Sequence, residues 1–232
     1  MTLDSPYKAV LFDLDGTLVD SAGELITSLN VLLARKQRAP IPYEQLRPYA
    51  SDGSRGLIRQ GFAISEDDPD FATLRKEYLA IYQLMLRDDH QPPCLFPGCA
   101  ELLTLLEARS VPWGIVTNKP RYLTEIMLRQ SELLVLYKVL VCGDDFRPKP
   151  YPDGLWFASK TLGLAAQQCI YVGDHSRDIE AGRAAGMTTV AVDYGYAVDQ
   201  EDIISWGADN VLQDIMQIAK MLHLDQACHH VD

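Results

Sequence analysis

Four short segments of this chain carry the side chains from which a reaction could be built. Asp13 and Asp15 stand on either side of Leu14, ahead of Gly16 and Thr17, and directly follow the apolar run Lys8-Ala9-Val10-Leu11-Phe12. Thr117 and Asn118 follow a second apolar run at 111–116, and Lys149 sits between prolines in Arg147-Pro148-Lys149-Pro150. Asp174 and Asp178 follow another run at 169–172. Carboxylates gathered this closely repel one another unless a cation sits among them, and oxygen ligands with room for water and phosphate suit Mg²⁺. A carboxylate can attack phosphorus and divide hydrolysis into two steps. A second carboxylic acid can protonate the leaving oxygen and later take a proton from water. Thr117 and Lys149 suit the oxygens of a transferring phosphoryl group. Gly16 permits a sharp turn after the run, and Thr17 can hydrogen-bond within it.

Each of these residues has an ordinary role when taken alone. Asp-Gly-Thr after a strand is a turn with a helix cap, Asp178 a solvated helix residue, Lys149 a surface lysine and Asn118 a turn residue. The chemical reading rests on their joint occurrence in order.

The elements that must position them follow from the apolar pattern. Runs at 8–12, 111–116, 138–141, 169–172 and 188–192 read as buried strands, and helical patterns at 99–109, 121–134, 152–163 and 177–185 lie between them. Strand alternating with helix implies an α/β fold with a Rossmann-like parallel sheet. In such a sheet ligands bind beyond the carboxyl ends of the strands, where all four segments fall. Residues 21–90 break the alternation. Leu25, Ile26, Leu29, Leu32 and Leu33 mark one amphipathic helix, and Phe71, Leu74, Tyr78, Ile81, Tyr82 and Met85 another. Ser51-Asp52-Gly53-Ser54 reads as a loop between them, and Pro92-Pro93 as the closing linker. The expected organisation is a core of 1–20 and 93–232 with a small all-helical cap at 21–92 inserted after the first strand.

Composition narrows the partners. Of 232 residues, 47% are hydrophobic and 23% charged, which describes an ordinary globular chain. A net charge of −11 repels nucleic acid and anionic membranes, so neither is an expected partner. It also repels a small phosphate ester, so binding one requires local cations. The cysteines at 94, 99, 142, 169 and 228 match no zinc spacing and read as reduced thiols. The first residues show no secretory pattern, and no apolar run approaches the ~20 residues of a membrane helix. A cytoplasmic protein, monomeric or weakly homodimeric, is expected. The terminal His229-His230 pair reads as part of a frayed end, not a metal site.

At the four segments the chain resembles the haloacid dehalogenase superfamily. Asp13-Leu14-Asp15-Gly16-Thr17 is similar to its first motif, Ile115-Val116-Thr117-Asn118-Lys119 to the second, Lys149 to the third and Gly173-Asp174-His175-Ser176-Arg177-Asp178 to the fourth. The resemblance implies an Mg²⁺-dependent phosphatase. Asp13 would be nucleophile and metal ligand, and Asp15 the acid/base with its main-chain carbonyl as second ligand. Asp174 would be the third ligand, while Asp178 would hold a metal-bound water or orient Lys149. Thr117, Asn118 and Lys149 would bind the phosphoryl group. An acid at Asp15 argues against the dehalogenase branch. The segments 112–120, 181–187, Tyr194-Gly195-Tyr196 and 206–209 look like the phosphoglycolate phosphatase group. Trp113, Leu95-Phe96-Pro97-Gly98 and the cap look most like its N-acetylmuramic acid 6-phosphate phosphatase branch. Both substrates carry a carboxylate, which Arg55, beside Gly53 in the cap, is expected to pair with. Hydrolysis of 2-phosphoglycolate, a sugar-phosphate mutase and a non-catalytic binding protein are the alternatives.

Overall fold

The computed structural model describes residues 5–88, 91–197 and 202–224, so the terminal histidine pair and Cys228 lie outside the described residues. Six parallel strands form one sheet: β1 (Ala9–Phe12), β2 (Trp113–Val116), β3 (Val139–Val141), β4 (Cys169–Gly173), β5 (Thr188–Val192) and β6 (Asn210–Leu212), in the order β3-β2-β1-β4-β5-β6. The strands β1, β2 and β4 are buried along their whole length, which is why they read as continuous apolar runs. Phe12 and Trp113 meet edge to face at 6.4 Å across β1 and β2. The sheet is doubly wound. The chain leaves β1 toward β2 and β3, then returns to the opposite side through β4. The crevice between the ends of β1 and β4 is therefore the switch point at which such sheets bind ligands.

Helices α1 (Ala22–Arg35), α2 (Tyr43–Leu46), α3 (Gly53–Phe62) and α4 (Phe71–Asp88) form the segment between β1 and β2. Their apolar faces pack on one another, α1 against both α3 and α4. The two chain connections to the sheet run side by side. Asp20 N–H donates to the Cys94 carbonyl at 2.8 Å and Phe96 N–H to the Leu18 carbonyl at 3.0 Å. Tyr196 ties the entry to α1: its hydroxyl accepts from Ser21 N–H at 2.7 Å and donates to Asp20 Oδ1 at 2.8 Å. None of the described helices is long and apolar enough to cross a membrane.

Helices α5 (Cys99–Ala108), α6 (Arg121–Leu128), α7 (Asp153–Thr161), α8 (Ser176–Ala185) and α9 (Gln217–Met221) complete the fold. The expected loop at 51–54 is shorter than its residue types suggest. Ser51 and Asp52 make a turn, and α3 begins at Gly53. Helix α6 stops at Leu128, short of the 134 its apolar residues imply, and the chain then turns before β3. Strand β6, a three-residue edge strand with an exposed centre, has no run long enough to announce it.

Candidate active site

Asp13 is the first residue beyond β1. Its N–H donates to the Val172 carbonyl at 2.9 Å, extending the β1–β4 ladder by one step and setting the carboxylate at the rim. Gly16 turns the chain with φ +88°, and a Cβ there would lie 2.2 Å from Asp174 Oδ2. Both the left-handed backbone and the close approach require glycine. Asp174 follows β4 and is fully buried. Its Oδ2 accepts from Ser51 Oγ at 2.6 Å and from Tyr196 N–H at 3.0 Å. Asp178 lies in the first turn of α8, also fully buried, at the helix's electropositive end.

Lys149 joins two of these acids. Its Nζ stands 2.7 Å from Asp13 Oδ1, 2.7 Å from Asp178 Oδ1 and 2.9 Å from the Tyr171 hydroxyl. Burial opposes its charge, but Asp13 and Asp178 hold its ammonium above the ordinary lysine range. Burial also opposes ionisation of Asp178, where Lys149 and then Arg177 prevail and lower its pKa. Asp13 goes the other way. Burial, opposed by Lys149 and reinforced by the Asp178 and Asp174 charges, pushes it up to about 7. Asp174 is raised by burial and then by Asp178.

These acids are close enough to share a cation. One oxygen from each of Asp13, Asp174 and Asp178 lies within 4.8 Å of the others. Asp178 Oδ2 is buried with no hydrogen-bond partner among the described residues. An all-oxygen donor set of this kind suits a hard divalent ion. The cluster is therefore able to bind a metal.

Asp15 stands apart from that cluster. Its carboxylate accepts from Lys119 Nζ at 2.9 and 3.1 Å, and its Oδ1 from Ser21 Oγ at 2.6 Å. The same ammonium donates to the Tyr82 hydroxyl of α4 at 2.7 Å. Lys119 is 7% exposed, so this contact between sheet rim and helical segment is shielded from water. Sequence reasoning missed Lys119 and Tyr82. A lysine directly after Thr117-Asn118 and a tyrosine hydroxyl on an apolar stripe were the available signals, since a buried polar tip needs a partner.

Thr117 is buried at the rim, where its Oγ1 accepts from Lys119 N–H at 3.2 Å. Both polar atoms of the Asn118 amide are engaged by Lys149. Nδ2 donates to the Lys149 carbonyl at 3.0 Å, and Oδ1 accepts from Lys149 N–H at 2.9 Å. Asn118 borders the cavity while stapling the loop that carries Lys149.

A cavity of about 440 Å³ opens above the rim. Asp13, Asp15, Thr117 and Lys149 line its floor, while Tyr78, Leu79 and Tyr82 form an apolar and aromatic wall. Gly53 and Arg55 border it at α3. Arg55 is ion-paired with Glu66, and its side chain is 59% exposed. A second bridge between rim and helical segment runs through Asp52. Its Oδ1 lies 3.0 Å from Arg177 Nη1 and 3.4 Å from His175 Nε2, and Arg177 also donates to the Ser51 carbonyl. Burial opposes ionisation of Asp52, but the His175 hydrogen bond and the Arg177 and Arg59 charges bring its pKa down to about 2.

Known proteins resemble this chain over most of its length. The family profile described as haloacid dehalogenase-like hydrolase matches residues 10–192. A phosphoglycolate phosphatase of Xanthomonas campestris pv. campestris (strain 8004) is 42% identical over 212 residues, covering 91% of this chain and 94% of that one. An N-acetylmuramic acid 6-phosphate phosphatase of Pseudomonas putida KT2440 is 38% identical over 216 residues, covering 93% and 96%. Among solved structures, a predicted phosphoglycolate phosphatase from Haemophilus somnus 129PT superposes with a TM-score of 0.81 at 26% identity, covering 94% of this chain and 99% of that one.

Proposed function

The chain belongs to the haloacid dehalogenase-like hydrolase family, and we propose that it is a Mg²⁺-dependent phosphomonoesterase acting on a small, carboxylate-bearing phosphate. The observation that carries this reading is the separation of two acids at one cavity floor. Asp13 sits among buried carboxylates with Lys149, whereas Asp15 is held apart by Lys119 and Ser21. Residues 21–92 act as the cap and the remainder as the catalytic core.

An Asp13 carboxylate oxygen attacks phosphorus. As that P–O bond forms, the ester P–O bond breaks, and Asp15 gives its proton to the departing alkoxide. Water then attacks the aspartyl phosphate and Asp15 takes the proton back. The P–O bond to Asp13 breaks, releasing phosphate and restoring the carboxylate. Lys149 and Thr117 hold the equatorial oxygens, where charge is spread in the transition state. Asn118 orients Lys149 through its backbone. Asp13, Asp174, Asp178 and the Asp15 main-chain carbonyl are the proposed holders of Mg²⁺, which when bound neutralises the carboxylates and phosphoryl oxygens.

N-acetylmuramic acid 6-phosphate is the preferred substrate in this reading, with the protein acting in the cytoplasm. A cavity of about 440 Å³ falls in the size range of pockets that enclose drug-sized ligands. Its aromatic and leucine wall suits a sugar ring with acyl and lactyl groups. The 2-phosphoglycolate reading is supported by the name of the 42% identical relative. Phosphate release with Mg²⁺ from the two compounds at equal concentration decides between them. A kcat/KM ratio of about a hundred, worth roughly 3 kcal/mol of transition-state discrimination, names the substrate. Comparable values mean a broad phosphatase, and release from neither overturns the proposal.

A further inference from the structure

The cap wall carries three arginines whose circumstances differ. Arg55 is ion-paired with Glu66, and Arg59 lies 2.9 Å from Asp52 Oδ2. Arg75 is half-buried, lines the cavity and has no carboxylate within ion-pair distance among the described residues. Its Nε–H donates to Ser54 Oγ at 3.0 Å, which fixes the plane of the guanidinium and leaves its two terminal nitrogens for another acceptor. Glu66 acts on Arg75 electrostatically but is engaged by Arg55 and stands 4.0 Å from Arg59. Burial and then the Arg55 charge hold the Arg75 guanidinium below its ordinary range, opposed by Tyr122 and Glu66.

Position along α4 adds a ruler. Arg75, Tyr78, Leu79 and Tyr82 share one helix face and all line the cavity. Tyr82 marks the catalytic end, because its hydroxyl accepts from the lysine that pairs with Asp15. Seven residues separate Tyr82 from Arg75, a rise of about 10 Å. The cavity thus has acids and Lys149 at one end, a forked cation at the other, and an apolar wall between.

We propose that Arg75, oriented by Ser54, is the specificity residue of this site and captures an acidic group that the substrate carries far from its phosphoryl end. A planar guanidinium binds a carboxylate through two parallel hydrogen bonds. In 2-phosphoglycolate the carboxylate is joined to the ester oxygen by a single methylene and stays near the catalytic floor. In a 6-phosphorylated sugar with a lactyl ether on C3, the acid is held many bonds from the phosphate on a different ring carbon, a longer reach that suits the spacing along α4. This inference rests on the phosphatase reading above and refines its substrate class.

The test compares wild type, Arg75→Ala, Arg75→Lys and Arg55→Ala on three phosphates. These are N-acetylmuramic acid 6-phosphate, N-acetylglucosamine 6-phosphate (the same sugar without the acidic ether) and 2-phosphoglycolate. Wild type is expected to favour the acidic sugar over the neutral one at least ten-fold in kcat/KM. Arg75→Ala lowers that preference at least ten-fold, through KM more than kcat, and Arg75→Lys recovers part of it. Turnover of the neutral sugar by the variant, with a wild-type melting temperature, shows that it folds. Equal losses of Arg75→Ala on both sugars overturn the assignment, as does transfer of the selective loss to Arg55→Ala. A wild type that does not distinguish the two sugars overturns the substrate class itself, whatever the variants do. A larger loss on 2-phosphoglycolate than on the acidic sugar overturns the argument from reach.

Discussion

The rim of the sheet and the wall of the cap face each other across one cavity and handle charge in opposite ways. On the rim, Asp13, Asp174, Asp178 and Lys149 are 0–6% exposed and crowded together. Their order of ionisation is set by burial and by one another. On the cap, Arg55, Arg59 and Arg75 stand on helix faces beside tyrosines and leucine. Two of them are paired with acids in contact with water, where an ion pair contributes little to stability. Buried and mutually compensated charge is rigid and suits bond making. Partly exposed charge on helices adapts and suits recognition. The lesson is that changes on the rim should act on turnover and on metal binding, while changes on the cap should act on which substrate is held.

The sharpest way to break the contrast is at Asp13. Asp13→Asn is expected to lower turnover by about a thousand-fold or more, since the proposed nucleophile is lost. The melting temperature should not fall, because one member of a repelling cluster is neutralised. Retained phosphate release on any substrate would end the nucleophile assignment. Metal removal comes next. Exhaustive chelation should stop turnover, and Mg²⁺ should restore it. Added Mg²⁺ should also raise the melting temperature of the metal-free protein, by an amount equivalent to about 2.7 kcal/mol at a hundred times its Kd. Melting curves that superpose with and without Mg²⁺ would remove the metal from the rim.

Lys119→Met tests the contact between the two regions. It leaves the Asp15 carboxylate with Ser21 as its remaining side-chain partner and strands the Tyr82 hydroxyl, so kcat should fall by about ten- to a hundred-fold. KM should move less. An unchanged kcat would mean that Asp15 needs no anchor. The smallest effect belongs to Asp52, whose pKa falls from 3.8 to about 2 through its contacts to His175, Arg177 and Arg59. A depressed carboxyl contributes stability that is complete above its unfolded pKa and is lost as pH falls through its folded one. Asp52→Asn should therefore lower the melting temperature near pH 7. The difference from wild type should narrow below about pH 4 and close near pH 2. A gap that persists in acid would show that packing, not charge, accounts for it.

Much of this site is legible in the order of residues along the chain. Asp13, Asp174, Asp178 and Lys149 each follow an apolar run, and parallel strands bring their carboxyl ends to one rim whatever the details of packing. The start of α3 at Gly53 is hidden because Ser-Asp-Gly-Ser has turn chemistry, and the apolar residues Leu57, Ile58 and Phe62 that hold the helix come later. Strand β6 is hidden because three residues at a sheet edge show no alternation. Tyr78 and Tyr82 read correctly as an apolar stripe, and that reading conceals their hydroxyls. Lys119 stands beside Thr117 and Asn118 and has no sequence neighbour to pair with.

The strands, the rim of acids and the presence of a helical insert are local properties, written in runs of residues whose burial and periodicity depend on their immediate neighbours. The contacts of Lys119 with Asp15 and Tyr82, of Arg177 with Asp52, and of Arg75 with Ser54 join residues 104, 37, 125 and 21 positions apart in the chain. Such pairings depend on how the helical segment sits over the sheet. That placement comes from packing many apolar side chains at once, and no single residue pattern encodes it. The acids at the rim are therefore readable from residue types, whereas the cavity wall above them emerges only with the tertiary structure.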